Sequence, residues 1–223
     1  MSARRGVPAR GMGWLATAFV RCAGAAALAG SPTLAQAATP TDAFAPDRLL
    51  RAEVRVRAPI DSVWAAWTTE RGVTSFFAPG CHVEPHVDGL YEIYFDPAAP
   101  PGQRGADSLH ILTFEPPRRL AFTWNAPLAQ PYVRGQRTMV VVELVPAGQA
   151  TRVRLTQSGW GTGGDWDRAY DYFARAWGAQ VLPFLMWRFE HGSVDWTHPP
   201  DVKPLTASMK QQLVPITTRH LKI

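Results

Sequence analysis

Cysteine is scarce in this sequence, which has two among 223 residues. Cys22 lies in an amino-terminal segment that we expect to be removed, so Cys81 is the single cysteine of the mature chain. This excludes an internal disulfide there and, with it, the class of small secreted proteins that disulfides hold together. Cys81 lies near Val83 in a short apolar segment, and we interpret it as a small core residue rather than a nucleophile.

Acidic residues are absent from residues 1–37, whereas this segment holds four arginines, Arg4, Arg5, Arg10 and Arg21. The formal charge of +5 includes these four charges, so the rest of the chain carries a net charge of +1. A nearly neutral body has no field that would attract a phosphate backbone, and we therefore expect no nucleic-acid partner.

Long hydrophobic runs are also missing. Arg21 separates two apolar stretches, residues 11–20 and 22–30, and neither is long enough to cross a bilayer. Together with Arg4, Arg5 and the small-x-small sequence at 35–37, they predict a signal peptide over residues 1–37 that is cleaved near Ala37. We expect a periplasmic or secreted protein without a transmembrane span in its mature chain, exported by either the general or the twin-arginine route.

The mature chain is expected to form one domain between two extensions. Residues 38–47 have the composition of a linker, residues 48–192 that of a folded domain, and residues 193–223 form a carboxyl-terminal tail with a proline-rich start. The domain contains neither an internal repeat nor a low-complexity block, so it should fold as one unit.

Seven segments of the domain have the pattern of strands. In residues 50–58, alanine and valine alternate with arginine and glutamate, which predicts one buried and one exposed face. Six more strand-like segments follow, at residues 81–86, 90–95, 109–114, 120–124, 138–144 and 151–158. Their short, turn-rich separators favour antiparallel neighbours, so we predict a seven-stranded antiparallel meander.

A short helix after Pro59 and a long helix after Gly164 complete the predicted fold. The long helix carries a stripe of aromatic residues, and we expect a kink near Pro183. This helix is large enough to cover the apolar face of the sheet, which places the chain in the α+β class. Because a twisted, curved sheet cannot contact a straight helix everywhere, we expect a pocket between them.

Several segments resemble a known family. They are residues 56–59 followed by Val63 and Trp64, residues 114–124, residues 151–160, and Trp177. As a set they resemble the START-like SRPBCC superfamily and, within it, the branch named after the activator of the heat shock protein ninety ATPase, over residues 48 to about 192. The resemblance implies a helix-grip fold, in which a curved antiparallel sheet wraps a long carboxyl-terminal helix around a hydrophobic ligand cavity. It does not imply chaperone activation, since an exported chain would not meet that cytosolic chaperone.

Strand alternation predicts which side chains face this cavity. Glu92 is expected to face solvent and Leu112 to face inward. The inward set includes two polar side chains, His110 and Gln157, which need hydrogen bonds from water, a neighbour or a ligand. We predict that the site for a small hydrophobic or aromatic ligand consists of Tyr91, His110, Phe122, Trp124, Gln157, Trp166, Tyr170, Phe173 and Trp177.

Two other functions are alternatives. A cyclase- or dehydratase-like enzyme would use His110 with Tyr170 as its acid-base pair. A protein-interaction domain, resembling a co-chaperone, would dock a partner on Leu182, Leu185 and Met186 unless the tail covers them. We favour non-enzymatic binding, because one histidine without a carboxylate partner is a weak acid-base arrangement.

Two further motifs are interpreted without a cofactor or a metal. Gly159, Gly161 and Gly164 fit the pattern G-x-G-x-x-G, but no second parallel strand is predicted after the helix, so we interpret the loop as a flexible turn. His82 and His86 flank Glu84 on one side of a strand that should face solvent, where these ligands alone do not close a coordination sphere.

Overall fold

The computed structural model describes residues 48–209. The predicted signal peptide, its cleavage position and the linker at 38–47 lie outside these residues, as does the tail from residue 210 onward. Within the described part, none of the helices is both long enough and apolar enough to span a membrane.

The described residues form eight strands and six α-helices. The strands are β1 (Leu50–Val56), β2 (Gly80–Val83), β3 (Tyr91–Tyr94), β4 (Gly105–Ala106), β5 (Ile111–Glu115), β6 (Arg119–Trp124), β7 (Thr138–Ala147) and β8 (Ala150–Ser158). The helices are α1 (Ile60–Thr68), α2 (Glu70–Thr74), α3 (Pro131–Arg134), α4 (Gly164–Ala176), α5 (Leu182–His191) and α6 (Lys203–Met209), with a π-helical turn over Trp177–Val181.

The strands pair into two antiparallel sheets. The larger sheet has five strands in the order β1-β8-β7-β6-β5, and the smaller has three in the order β2-β3-β4. An isolated bridge between Leu90 and His110 connects the beginning of β3 to the beginning of β5. The α+β class, the antiparallel pairing and the long carboxyl-terminal helix are confirmed. The strand count differs from the predicted seven because the sequence analysis did not identify β4, a strand of two residues inside a proline- and glycine-rich loop.

The first strand shows why alternation was a reliable guide in the larger sheet. Ala52, Val54 and Val56 are buried beneath the helices. On the opposite face, the carboxylate of Glu53 accepts a hydrogen bond from Arg154 on β8, 3.1 Å away. One face of the sheet is therefore the core and the other is a charged surface.

The long helix is interrupted where the sequence predicted a kink. Proline at position 183 has no N–H to donate, and its ring would crowd the carbonyl group four residues earlier in a regular α-helix. The preceding turn is widened into a π-helix, in which the N–H of Leu182 donates to the carbonyl oxygen of Trp177. The helix ends at His191 and is followed by Gly192, whose φ of 100° few other residues adopt.

The chain beyond this helix returns to α2. The N–H of Val194 donates to the carbonyl oxygen of Ser75 at 2.9 Å, and the indole N–H of Trp196 donates to the carbonyl oxygen of Thr74 at 2.6 Å. Leu182 and Leu185, which were predicted to form an exposed docking patch, are fully buried in the chain's own core. Met186, the third residue of that expected patch, is partly buried against the same core, so the patch is not a free surface.

Candidate ligand-binding site

Five of the nine predicted site residues meet in one aromatic cluster between the sheets and the helix. The rings of Tyr91 and Phe122 lie 4.5 Å apart, those of Phe122 and Trp124 5.7 Å, and those of Trp124 and Trp177 5.4 Å. Phe173 stacks on Trp177 with ring centroids 6.3 Å apart. All five side chains are buried, so the strands and the helix do present these residues to the same interior.

Two other predicted residues, Trp166 and Tyr170, pack nearby around Trp160. Trp160 is fully buried and lies 5.1 Å from the Tyr170 ring and 6.3 Å from the Trp166 ring. The hydroxyl group of Tyr170 is directed to the start of β1, where it donates to the carbonyl oxygen of Leu49 at 2.9 Å. Trp160 is not among the predicted site residues, and Gly161 beside it makes room for the indole of Trp166.

Gln157 lies inside the molecule as predicted, and its amide is paired by the chain itself. Its Oε1 accepts from the indole N–H of Trp177 at 2.7 Å, and its Nε2 donates to Oγ1 of Thr138 at 2.9 Å. The hydroxyl group of Thr138 in turn donates to the carbonyl oxygen of Trp124 at 3.2 Å. This hydrogen-bonded chain connects β8, the π-helical turn, β7 and β6.

The inward orientation predicted for His110 and Leu112 is wrong. Ile111 pairs with Phe122, and Phe114 pairs with Leu120. Between these two pairs, β5 therefore has one residue more than β6. The extra residue is a β-bulge, and it reverses the alternation of all residues that precede it. His110 and Leu112 are exposed, whereas Ile111 is buried.

His110 and Tyr170 consequently do not form the acid-base pair of the enzymatic alternative. Nδ1 of His110 lies 3.0 Å from the carbonyl oxygen of Asp88 at the surface. Tyr170, by contrast, is bonded to Leu49, and Arg48 covers its ring at 4.3 Å. The two side chains have separate partners in separate parts of the domain.

Two indole N–H groups in the aromatic cluster have no hydrogen-bond partner among residues 48–209. They belong to Trp67 on α1 and Trp124 on β6, whose side chains are 0% and 3% exposed. Oε1 of Gln130, in the loop before α3, is likewise buried without a partner. Buried polar atoms are nearly always paired, so unpaired donors in an apolar interior mark a place where an acceptor is missing.

Phe77, which is not among the predicted site residues, lies at the centre of this cluster. Its ring stacks on Trp124 at 5.7 Å with an interplanar angle of 19° and meets the edge of Trp177 at 5.7 Å. It also contacts Trp67 at 5.7 Å. The only signal in the sequence was the pair Phe76 and Phe77 in the otherwise turn-rich segment after α2.

Glu92 does not face solvent as expected. Its carboxylate accepts from the N–H of Ser108 and from the hydroxyl group of Tyr94, each at 2.6 Å, because the loop that leads to β5 covers it. Burial, followed by this hydrogen bond to Glu92, raises the pKa of Tyr94 to about 12. The same loop is fixed by Asp107, whose carboxylate accepts from Nε of Arg104 at 2.9 Å.

The one cysteine of the described residues is not an activated nucleophile. Burial and, to a smaller extent, the negative charge of Glu70 raise the pKa of Cys81 from 9.0 to about 12. A thiol with such a pKa stays protonated at neutral pH and is a poor nucleophile. This agrees with its interpretation as a small packing residue.

The histidines around Glu84 are held by carboxylates and carbonyl groups. His82 lies 3.2 Å from Glu70 through Nδ1 and 3.4 Å from Glu84 through Nε2, while His86 Nδ1 lies 2.9 Å from the carbonyl oxygen of Val87. The hydrogen bond from the N–H of Leu90, followed by that from His82, lowers the pKa of Glu84. Among residues 48–209, no three or more histidine, cysteine, aspartate or glutamate side chains are arranged to hold a metal ion.

Comparisons with known proteins agree with this architecture. The family profile described as "Activator of Hsp90 ATPase homolog 1-like protein" matches residues 57–182. No functionally curated protein matches the chain.

Solved structures extend the agreement to three dimensions. The protein MLL2253 from Mesorhizobium loti is 24% identical, with a TM-score of 0.53 over 66% of this chain and 100% of that chain. CalU16 from Micromonospora echinospora is 22% identical, with a TM-score of 0.50 over 74% of this chain and 84% of that chain. The Aha1 dimer from Colwellia psychrerythraea is 15% identical, with a TM-score of 0.50 over 65% of this chain and 98% of that chain. At these identities the similarity establishes the fold alone.

Proposed function

The chain belongs to the family of activator of Hsp90 ATPase homolog 1-like proteins, and on that premise we propose that it holds a small hydrophobic ligand between its sheets and its carboxyl-terminal helix. Membership supports a domain that binds a ligand or another protein. The choice of a small ligand rests on the interior of this particular chain.

The observation that carries the proposal is the pair of unpaired indole donors, Trp67 Nε1 and Trp124 Nε1. Each buried donor without an acceptor destabilises the fold by roughly 1–3 kcal/mol. A ligand that supplies an acceptor to either group removes that penalty. The relief of the penalty contributes to the affinity of the ligand.

The walls of the site define the rest of the ligand. The surrounding side chains are aromatic rings, including those of Phe122 and Trp177, and they contribute no formal charge. We therefore propose a ligand that is mostly apolar and uncharged, with one or two hydrogen-bond acceptors. An aromatic ligand suits such walls well, because offset-stacked and edge-to-face contacts add to the burial of its surface.

Binding without turnover is the form of the proposal that these residues support. The side chain considered as the acid-base group, His110, is exposed at the surface and bonded to Asp88. Two polar side chains of this interior, Gln157 and Thr138, form a hydrogen bond with each other and have no proton to exchange near neutral pH. They suit orientation of a ligand better than proton transfer.

The test uses tryptophans that differ in the state of their N–H group. Trp124→Phe and Trp67→Phe each remove an unpaired donor, whereas Trp160→Phe removes a donor that is bonded to the carbonyl oxygen of Gln157 at 3.0 Å. A panel of small apolar compounds, with and without an acceptor, is first screened by thermal shift on the full chain. Native mass spectrometry of the protein from its source detects any ligand that copurifies.

Compounds with an acceptor are expected to raise the melting temperature more than their hydrocarbon analogues. Either Trp124→Phe or Trp67→Phe, whichever removes the N–H group that the ligand uses, should lose about five- to tenfold in affinity for them, the value of one hydrogen bond. Trp160→Phe should lower stability but leave the affinity unchanged. The proposal fails if no compound binds, or if Trp124→Phe and Trp67→Phe both bind as tightly as the unaltered chain.

A further inference from the structure

The ring of Phe77 occupies a slot that is shaped for an aromatic group. Trp124 lies parallel to one face of the ring, at 5.7 Å and 19°. Trp177, Trp67 and Phe95 meet it at steeper angles, with centroids 5.7, 5.7 and 6.2 Å away. A planar aromatic group is therefore surrounded by other rings on several sides at this one position.

Phe77 matches the slot in shape but not in polarity. The two tryptophans with unpaired N–H groups, Trp67 and Trp124, both contact this ring. A phenyl group has no oxygen or nitrogen that could accept from them. An aromatic molecule with an acceptor would satisfy what Phe77 leaves unsatisfied.

The position of Phe77 in the chain allows its ring to be displaced without breaking either sheet. It lies in the connection between α2 and β2, outside both sheets, and its own N–H donates to the carbonyl oxygen of Val73 at 2.8 Å. Two hydrogen bonds hold the start of this connection: the N–H of Val194 donates to the carbonyl oxygen of Ser75, and the indole N–H of Trp196 donates to that of Thr74. The ring can leave the slot while these backbone contacts and all strand pairing remain.

We infer that the slot filled by Phe77 is the aromatic subsite of the ligand, which displaces this ring and accepts a hydrogen bond from Trp67 or Trp124. The inference rests on the proposed function and restricts the class of ligand to planar aromatic molecules with a hydrogen-bond acceptor. Phe77 then keeps the slot closed in the unliganded protein.

The experiment compares two probes of the same shape on three forms of the full chain. Quinoline has a ring nitrogen that accepts a hydrogen bond, and naphthalene has none. Phe77→Ala empties the slot. Phe76→Ala is the matched control, because Phe76 is equally buried and contacts Trp67 and Phe77. Affinities are measured by tryptophan fluorescence and calorimetry, and Phe77→Leu replaces Phe77→Ala if the latter does not fold.

The unaltered chain is expected to bind quinoline more tightly than naphthalene. Phe77→Ala should bind quinoline about tenfold more tightly than the unaltered chain, because the fraction of molecules with an open slot no longer limits binding. Phe76→Ala should not show this gain. Bound quinoline should show proton resonances shifted upfield by the ring current of Trp124 in the unaltered chain as well.

Each contrary result has a distinct meaning. If quinoline binds the unaltered chain but Phe77→Ala and Phe76→Ala change its affinity equally, the subsite is wrong and the proposed function stands. If Phe77→Ala binds both probes alike and the unaltered chain binds neither, the substitution has created an artificial cavity, and the inference is overturned. If acceptor-bearing aromatics of the wider panel also fail to bind the unaltered chain, the proposed function falls with it.

Discussion

Gly161 lies against the indole of Trp166, and this contact explains the glycine-rich loop. A Cβ atom at position 161 would overlap with Nε1 and Cε2 of Trp166. Trp166 is itself buried against Trp160, with ring centroids 6.3 Å apart. The loop therefore allows two tryptophans to pack where the chain enters α4, a role that requires no bound nucleotide.

Gly161→Ala should lower the free energy of unfolding by about 1–3 kcal/mol, the usual cost of overpacking a rigid site. Gly164→Ala, in the same motif, is the control. Its Cβ would lie 3.5 Å from a guanidinium nitrogen of Arg168, an ordinary contact, so stability should stay within about 1 kcal/mol or rise. Urea unfolding of both variants measures the difference, and equal stabilities would show that Trp166 moves aside without cost.

At the level of elements, one hydrogen bond joins the long helix to the larger sheet. Trp177 begins the π-helical turn, and its indole N–H reaches Gln157 on β8 at 2.7 Å. Both residues are buried, so neither polar group has water as a substitute partner. The π-helical turn before Pro183 thus contains the residue that forms the hydrogen bond between the helix and the sheet.

Gln157→Leu should destabilise the fold by about 2 kcal/mol, because it leaves the N–H of Trp177 buried without an acceptor. Combined with Trp177→Phe, the loss should be smaller than the sum of the single losses by about 1 kcal/mol. Combined with Trp166→Phe, which shares no hydrogen bond with Gln157, the losses should add. Denaturant unfolding gives the four free energies of each cycle, and additivity in both cycles would contradict the direct link.

Regular elements could be predicted from the sequence, and departures from regularity could not. Alternation placed Phe122 and Trp124 on β6 and Gln157 on β8 correctly, because those strands pair without interruption. Alternation failed for His110 because β5 contains a bulge. The bulge depends on how β5 pairs with β6, and the sequence of β5 alone does not indicate it. Phe77 was missed for a related reason, since a side chain on a connection reaches the core only through tertiary packing.

At the scale of the whole molecule, three of the four described thiol and phenol groups with raised pKa values lie in the smaller sheet, and the fourth, Tyr172, lies on α4. Cys81 lies on β2, and Tyr91 and Tyr94 lie on β3. Burial is the first cause in each case; it raises the pKa of Tyr91 well above 10.0, and the charge of Cys81 adds to the effect. The two sheets therefore differ in how they respond to alkaline pH.

Alkaline pH should destabilise the protein from the smaller sheet outward. Below pH 9.0 the thiol of Cys81 is protonated whether the chain is folded or unfolded, so it has no effect on stability. Between 9.0 and about 12 the unfolded chain releases this proton and the folded chain retains it, which favours unfolding. Tyr94 acts in the same direction between 10.0 and about 12.

Cys81→Ala should therefore reduce the fall in melting temperature that begins near pH 9, while the fall that tyrosines cause above pH 10 remains. Thermal unfolding between pH 7 and pH 11 tests this, and amide hydrogen exchange at the upper end should show β2 and β3 opening before β7 and β8. An identical pH profile for both proteins would mean that the thiol ionises equally in the folded and unfolded chains. Simultaneous opening of all strands would mean that the smaller sheet has no separate stability, and the two sheets would then have to unfold as one cooperative unit.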